Sequence, residues 1–468
     1  MKRVMLNPVT RVSGFLGIEA YIEGSRVVDA KTQGQLFRGF EMMLKGRPPF
    51  DAVYFTERIC GICSTAHSLA ATLALESAMD IIPSEQGRYL RDFVHGCEFL
   101  QNHIRHFYQY TVPDFVKLPD YSPIFEASGT DFRLPKEKND TIAAHYFDSL
   151  EVSRAAHKML ARLGGKAPHN HGIFIGGLTS QATADTIIAL RSQLHEIKGF
   201  VDRCMIPDAY TIGEYYSEYY KMGRGYGNLL SFGCFNNYKE LGTLYLNPAV
   251  MIRGKQSRFD SNDITESTQH AWYANTAQAY KPFDTITPDD PTKRDAYSWV
   301  KAPRYGGYPC EVGPLARLWL SGEYRHGISA MDRIVARTLE TKKITAIMSV
   351  LLDHFIPGVQ TQASFYVPQN AVGAGLVDTT RGALSHWLEI KDQLISLYQL
   401  ITPSAWNLST QTGGLKGTGE QSLIGTVINN TDNPVELGRI IRSFDPCVSC
   451  ATHVYLHGEH KKTIKVVP

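Results

Sequence analysis

Apolar and polar residues alternate along positions 1–32, as in the run from Gly14 to Glu23 (G-F-L-G-I-E-A-Y-I-E), with Gly24-Ser25 between it and Val27-Val28-Asp29-Ala30. A period of two broken by a turn predicts antiparallel β structure at the amino end. From Gln35 to Lys45 the period lengthens: Leu36, Phe40 and Met43 share a helical face with Glu41 beside it, and Gly46 and Pro48–Pro49 stop the segment. Residues 66–79 are rich in alanine and leucine, which predicts a helix whose small side chains suit the centre of a bundle. Helical patterns also cover 88–110, which carries His95, Cys97, His103 and His106, and 141–163, 179–200 and 386–401. Residues 422–428 read as a short strand. Residues 114–139, with prolines and charges, read as an irregular excursion, and 205–330 as strands and loops set among the helices. The glycine-rich stretches at 164–166 and 172–177 are turns, because neither has the spacing of a phosphate loop. The expected fold class is therefore mainly α with α+β additions, a central long-helix bundle with peripheral β structure.

Composition narrows the function classes. A chain of 468 residues with 43% hydrophobic and 20% charged residues is that of a globular protein with a deep core. A net charge of +2 gives no case for nucleic acid as a partner. No apolar run reaches the roughly 18 residues of a spanning helix, and the start lacks the apolar stretch of a signal peptide. Eight cysteines in so long a chain do not make a disulfide framework, and Cys97, Cys204, Cys234 and Cys310 stand alone as ordinary thiols.

The other four cysteines form two C-x-x-C pairs, Cys60/Cys63 and Cys447/Cys450, which lie 387 positions apart. One such pair is weak evidence; two in glycine-containing apolar settings point to a four-thiolate metal site. Small zinc modules close their ligands within a few tens of residues, so this site would instead join distant parts of a large body. Thiolates select soft metals, and spacing alone leaves a structural and a redox site both open.

The surrounding motifs narrow the choice. Arg58 to His67 reads R-I-C-G-I-C-S-T-A-H, and Asp445 to His453 reads D-P-C-V-S-C-A-T-H. With them, in order, come L-N-P-V-T-R from Leu6, F-R-G-F-E from Phe37, H-I-R-H-F-Y from His103, G-G-K-A-P-H from Gly164, L-S-F-G from Leu230, Y-S-W-V-K-A-P-R-Y from Tyr297, E-V-G-P-L-A-R from Glu311, R-G-A-L-S-H-W from Arg381 and P-S-A-W-N from Pro403. By these motifs the chain resembles the large subunit of nickel–iron hydrogenases. The resemblance implies one catalytic body over 1–453, comprising an amino-terminal β/helix segment at 1–56, central helices at 57–204, a mixed insertion at 205–378, and carboxy-terminal helices with the metal-binding segment at 379–453. It implies nickel held by Cys60, Cys63, Cys447 and Cys450, with Cys63 and Cys450 bridging to an iron that carries carbon monoxide and cyanide. The implied reaction is reversible heterolysis of dihydrogen, with Cys447 taking the first proton. His67 would hydrogen-bond a bridging thiolate, Arg381 would supply positive charge above the metals, and Asp445 would pair near it. Glu41, His453 and a backbone carbonyl at Gln399 would hold magnesium.

Three positions depart from the family pattern. Ser13 stands where a glutamate usually starts the proton route, Asn102 where an aspartate is common, and Thr380 where a proline is common. A serine hydroxyl can join a water chain but is no charged proton acceptor. The resemblance also implies that an endopeptidase removes 454–468 as a propeptide after nickel-insertion factors have acted. With no further cysteine grouping for clusters, electrons would need an iron–sulfur small subunit, and a cytochrome b subunit is a further expected partner. The motifs lean toward the respiratory uptake type, in an exported, membrane-associated complex. The alternatives are a cytoplasmic enzyme, a hydrogen-sensing homologue of low turnover, a nickel-free quinone-reductase relative, and a structural zinc protein.

Overall fold

The computed structural model describes residues 1–119, 131–274, 279–284 and 287–448. The alternating amino end forms an antiparallel meander of β1 (Lys2–Leu6), β2 (Leu16–Glu23) and β3 (Arg26–Gly34), with Ala20 opposite both Val4 and Ala30. The helix expected at 35–45 is confined to α1 (Phe40–Leu44), because Gly39 takes a left-handed φ of 65° and begins it late. Next come α2 (Asp51–Glu57), α3 (Ser64–Met79) and α4 (Glu85–Arg105). The Ser84 hydroxyl accepts from the Gly87 N–H at 3.1 Å to start α4, which runs on as a π-helical turn over His106–Thr111. Helix α5 (Lys136–Gly164) begins inside the stretch expected to be irregular. A short hairpin of β4 (Ile173–Phe174) and β5 (Gly177–Leu178) leads to α6 (Ala184–Phe200), capped by Thr183, and to α7 (Ile206–Tyr215).

The stretch at 205–330 does contain strands. The strands β6 (Leu229–Ser231), β7 (Ala249–Ile252) and β8 (Lys255–Arg258) make one sheet, and β9 (Ile264–Ser267) pairs with β10 (Ala302–Tyr305). It also holds helix, in α7 and in α8 (Pro314–Ser321), and is followed by the 24-residue α9 (Ala330–Asp353). No apolar stripe marks α9, because Arg333, Arg337 and Glu340 are buried in it along with its leucines and isoleucines.

Two expectations fail in the last quarter. Residues 386–401 are not a helix: β11 (Asn370–Thr379), β12 (Gly382–Lys391) and β13 (Leu394–Ile401) form an antiparallel sheet in that order. Strand β12 is covered on both faces, so its apolar residues do not alternate, and its link to β13 is a tight turn with positive φ at Asp392 and Gln393. Nor are 422–428 a strand. After α10 (Pro403–Asn407), α11 (Thr418–Leu423) takes the first two residues, and of the rest Val427 alone bridges to Arg26. Helix α12 (Val435–Ser443) then leads to the second cysteine segment.

The small residues of α3 serve helix-on-sheet packing rather than a bundle. A Cβ on Gly375 of β11 would come 2.0 Å from the Ala70 carbonyl oxygen, and one on Gly373 2.1 Å from that of Ala74. Helix α4 packs against α5 and α9 to make the helical body beside it. The fold is thus helix-dominated with small peripheral sheets, as expected from the sequence. Among the described residues no helix is long and apolar enough to cross a membrane.

Candidate metal centre

The first cysteine pair occupies the turn between α2 and α3, with Cys63 as the residue that begins α3. Cys447 follows α12 through Asp445, whose φ of 57° turns the chain inward. The segment is fixed by its backbone: the Ser13 N–H donates to the Pro446 carbonyl at 3.1 Å, and the Val448 N–H to the Ser13 carbonyl at 2.8 Å. The Cys447 N–H donates to the Ser404 hydroxyl at 2.9 Å. The sulfurs of Cys60, Cys63 and Cys447 consequently lie within 4.8 Å of one another, all buried. Cys60 Sγ and Cys447 Sγ are 3.2 Å apart, far longer than a disulfide. Three converging buried thiols fit a soft metal. Cys450 and His453 lie outside the described residues.

Above the thiols, Arg381 is gripped from two sides. Its Nε donates to the Asp445 carbonyl at 2.9 Å, and its Nη2 lies 2.7 Å from Asn102 Oδ1 and 3.0 Å from Asp445 Oδ1. Asn102 Nδ2 donates to Asp445 Oδ2 at 2.7 Å, so the neutral amide accepts from the guanidinium and donates to the carboxylate. Burial opposes the charge on Asp445, but Arg381, His106 and Arg337 together hold its carboxyl well below the usual range. Burial likewise opposes Arg381, and negative charge on Asp445 and on the three cysteine sulfurs more than offsets it. Behind this pair, Arg337 lies 3.4 Å from Asp445 and 3.3 Å from His103 Nδ1. His103 in turn reaches Glu340, which Arg317 holds through two bonds of 2.7 Å. Arg337, His103 and Glu340 were not assigned from the sequence, although His103 lies within a recognised motif.

His67 does not stand alone in an alanine face. Its Nδ1 is 3.2 Å from His386 Nε2, and its ring lines a small cavity with Cys63, Thr379, Arg381, Ser404 and Cys447. Burial pushes the His67 imidazole down to about 4, so it is neutral. Glu98 accepts the first N–H groups of α3, from Thr65 at 2.7 Å and Ala66 at 3.1 Å, and burial raises its carboxyl to about 7.

Of the residues expected to hold a hard ion, Glu41 lines a second cleft, together with Glu266 and Lys301. Glu41 Oε1 accepts from the Leu400 N–H at 3.2 Å, and Glu41 Oε2 lies 2.9 Å from Lys301 Nζ. Lys301 also reaches Gln399 Oε1 at 3.4 Å and Glu266 at 3.9 Å. Glu266 Oε2 is buried with no hydrogen-bond partner among the described residues, and burial pushes its carboxyl up to about 7. The oxygens of Glu41 and Glu266 fit a hard cation, provided that it shares the cleft with the Lys301 ammonium. Lys301 and Glu266 were missed from the sequence.

Residues 38–127, 121–327 and 319–453 match the family described as nickel-dependent hydrogenase. The chain belongs to that family, and is the large, catalytic subunit of a nickel–iron hydrogenase. It is 36% identical over 492 residues to the periplasmic [NiFeSe] hydrogenase large subunit of Desulfomicrobium baculatum, covering 98% of this chain and 96% of the relative. It is 30% identical to the hydrogenase-2 large chain of Escherichia coli K12, covering 100% of each. A solved structure of the D. baculatum [NiFeSe]-hydrogenase superposes with a TM-score of 0.93 at 35% identity, covering 97% of this chain and 100% of that one. The chain is accordingly an oxidoreductase of dihydrogen, and all four of its candidate ligand positions are cysteine.

Proposed function

We propose that this subunit works mainly in the hydrogen-oxidising direction, with Cys60, Cys63, Cys447 and Cys450 as the ligands of a nickel–iron centre. The observation that carries the reading is the convergence of three buried thiols from both ends of the chain beneath Arg381 and Asp445. When bound, a nickel–iron pair with carbon monoxide and cyanide on the iron supplies an open coordination position at which dihydrogen is polarised and split. Cys60, Cys63, Cys447 and Cys450 would hold such a pair, with Cys63 and Cys450 shared with the iron. The Cys447 sulfur would hold the first proton released there, and the Ser404 hydroxyl accepts from the Cys447 N–H and so fixes its backbone. Arg381, clamped by Asp445 and Asn102, keeps a positive charge on the cavity wall and bars bulk water from it. Glu41, a backbone carbonyl at Gln399 and His453 would hold magnesium.

The electrons leave through an iron–sulfur small subunit and pass to a membrane acceptor such as a cytochrome b subunit. The complex is exported with that partner. Maturation by nickel-insertion factors and an endopeptidase removes 454–468. A second reading, a hydrogen sensor of low turnover, draws support from Ser13 and Asn102, both neutral beside the centre.

Infrared spectroscopy with nickel and iron analysis of the purified complex, under hydrogen and then oxidant, tests the proposal. Bands of iron-bound carbon monoxide and cyanide that shift with redox state are expected. Processed chain that holds only zinc and lacks such bands would refute the centre. Turnover with a dye separates enzyme from sensor.

A further inference from the structure

The R-G-A-L-S-H-W stretch contains a histidine to which neither the motif nor the mechanism gives a role. His386 lies on β12, fully buried between His67 of α3 and Tyr398 of β13. Its Nε2 is 3.2 Å from His67 Nδ1, and its Nδ1 is 2.7 Å from the Tyr398 hydroxyl. Strand register explains the second contact: His386 pairs with Leu400 and Leu388 with Tyr398, so His386 and Tyr398 are diagonal neighbours on one face.

Each of these contacts holds one shared hydrogen, and the chain of hydrogens can run in either of two directions. Tyr398 decides which. It is 0% exposed, and among the described residues its hydroxyl meets His386 Nδ1 as its sole hydrogen-bond partner. The hydroxyl hydrogen must therefore go to His386 Nδ1, since the other direction would leave a buried O–H with nothing to donate to. His386 then carries its hydrogen on Nε2 and donates to His67 Nδ1. His67 in turn carries its hydrogen on Nε2, the nitrogen left to face the cavity that it shares with Cys63 and Cys447.

The geometry points to Tyr398 and His386 as positioning residues that fix His67 in the Nε2–H tautomer, so that it offers a hydrogen-bond donor, not a lone pair, to the thiolates of the metal centre. This rests on the reading that those thiolates hold nickel and iron. Burial pushes the His386 imidazole down and the Tyr398 phenol up, so neither gains or loses a proton near neutral pH. Successive donors also polarise one another, which strengthens the last bond in the series. Donation to a bridging sulfur draws electron density from the iron, and the carbon monoxide on that iron then vibrates at higher frequency.

The test is infrared spectroscopy of the assembled complex carrying Tyr398→Phe, His386→Leu or His386→Gln, with nickel and iron measured in each. Loaded Tyr398→Phe should move the carbon monoxide and cyanide bands to lower wavenumber and His386→Leu should move them further. His386→Gln, whose amide N–H can still donate to His67 Nδ1, should return them toward native. Unmoved bands in Tyr398→Phe at native metal content, or bands displaced upward, would overturn the assignment. If His386→Leu fails to load metal, Tyr398→Phe decides alone, because it removes one oxygen and keeps the ring. Absence of the bands from the native complex would instead count against the nickel–iron centre itself.

Discussion

Arg381 makes its contacts through the planar fork of the guanidinium, and lysine cannot reproduce them. Arg381→Lys keeps the positive charge but loses the simultaneous approach of Nε to the Asp445 carbonyl and of Nη2 to Asn102 and Asp445. Hydrogen oxidation should fall on the order of 10²-fold with nickel and iron content unchanged, as when a preorganised donor is lost. A drop of less than twofold, measured by dye reduction, would mean that charge alone is what the cavity uses. Ser13 tests the opposite case, a group that is missing. Its peptide lies along Pro446–Val448, so a side chain there starts beside Cys447. Ser13→Glu should raise hydrogen oxidation and isotope exchange by roughly tenfold or more by supplying a proton acceptor. If both rates stay unchanged, position 13 does not limit proton transfer. At this scale the motifs made Cys60, Cys63, Cys447, Arg381 and Asp445 legible, because their residue types already state their chemistry. Lys301, Ser404 and His386 sat inside recognised motifs, yet their roles were not legible. Nothing in a linear string says that Lys301 reaches Glu41, 260 positions away.

Helices α4 and α12 meet the amino terminus around one carboxylate. Asp114, just past the π-helical turn that ends α4, accepts from Arg11 Nη2 at 2.7 Å and from Arg442 Nε at 2.7 Å, while Arg439 Nε donates to its carbonyl at 3.1 Å. Burial opposes the Asp114 charge, but Arg11 and Arg442 outweigh it and bring its pKa down to about 2 from 3.8. A depressed carboxyl stabilises the fold at pH values above 3.8, and the contribution is lost as pH falls through about 2. Asp114→Asn leaves three arginines around a neutral group and should cost about 3–5 kcal/mol near neutral pH. The gap between native and variant melting temperatures should hold steady from about pH 8 to pH 5 and narrow below about pH 4. A gap that widens on acidification would contradict the ion cluster. Element type was legible where a surface face alternated with a buried one, as in β3 and α5. It failed in β12 and α9, where burial was two-sided. Trp387, Leu388 and Ile390 of β12 are all buried, so their run imitates a helix. In α9 the buried arginines and Glu340 hid the helix from a reading based on apolar spacing.

Across the whole molecule the amino-terminal sheet and the segment from Val427 to Val448 are sewn together. The β1–β2 connection pairs with Pro446–Val448 through Ser13, Arg442 reaches the Thr10 carbonyl, and Arg26 of β3 bridges to Val427. The two C-x-x-C pairs foretold this closure, since a shared metal demands it; the sheets and helices that carry it out between residues 205 and 378 were legible only in outline. Bringing Cys60 and Cys447 together closes a loop of 387 residues, whose entropic cost in a flexible chain is roughly 5 kcal/mol. A metal that binds the folded form alone offsets such a cost by its own binding free energy. The ion cluster around Asp114 involves none of the cysteines, whereas the Ser13 pairing runs along Cys447, so removal of the metals should loosen that junction and spare the helical body. Complex produced without nickel and iron should therefore exchange amide hydrogens faster at 58–64 and 444–448, where the Cys447 N–H rests on Ser404 and the Val448 N–H on Ser13. The amides of α4 and α5 should keep native protection. Acceleration spread evenly over the chain would mean that the metals hold the entire fold together. Unchanged exchange at 444–448 would mean that the protein closes the centre unaided and the metals enter a finished site.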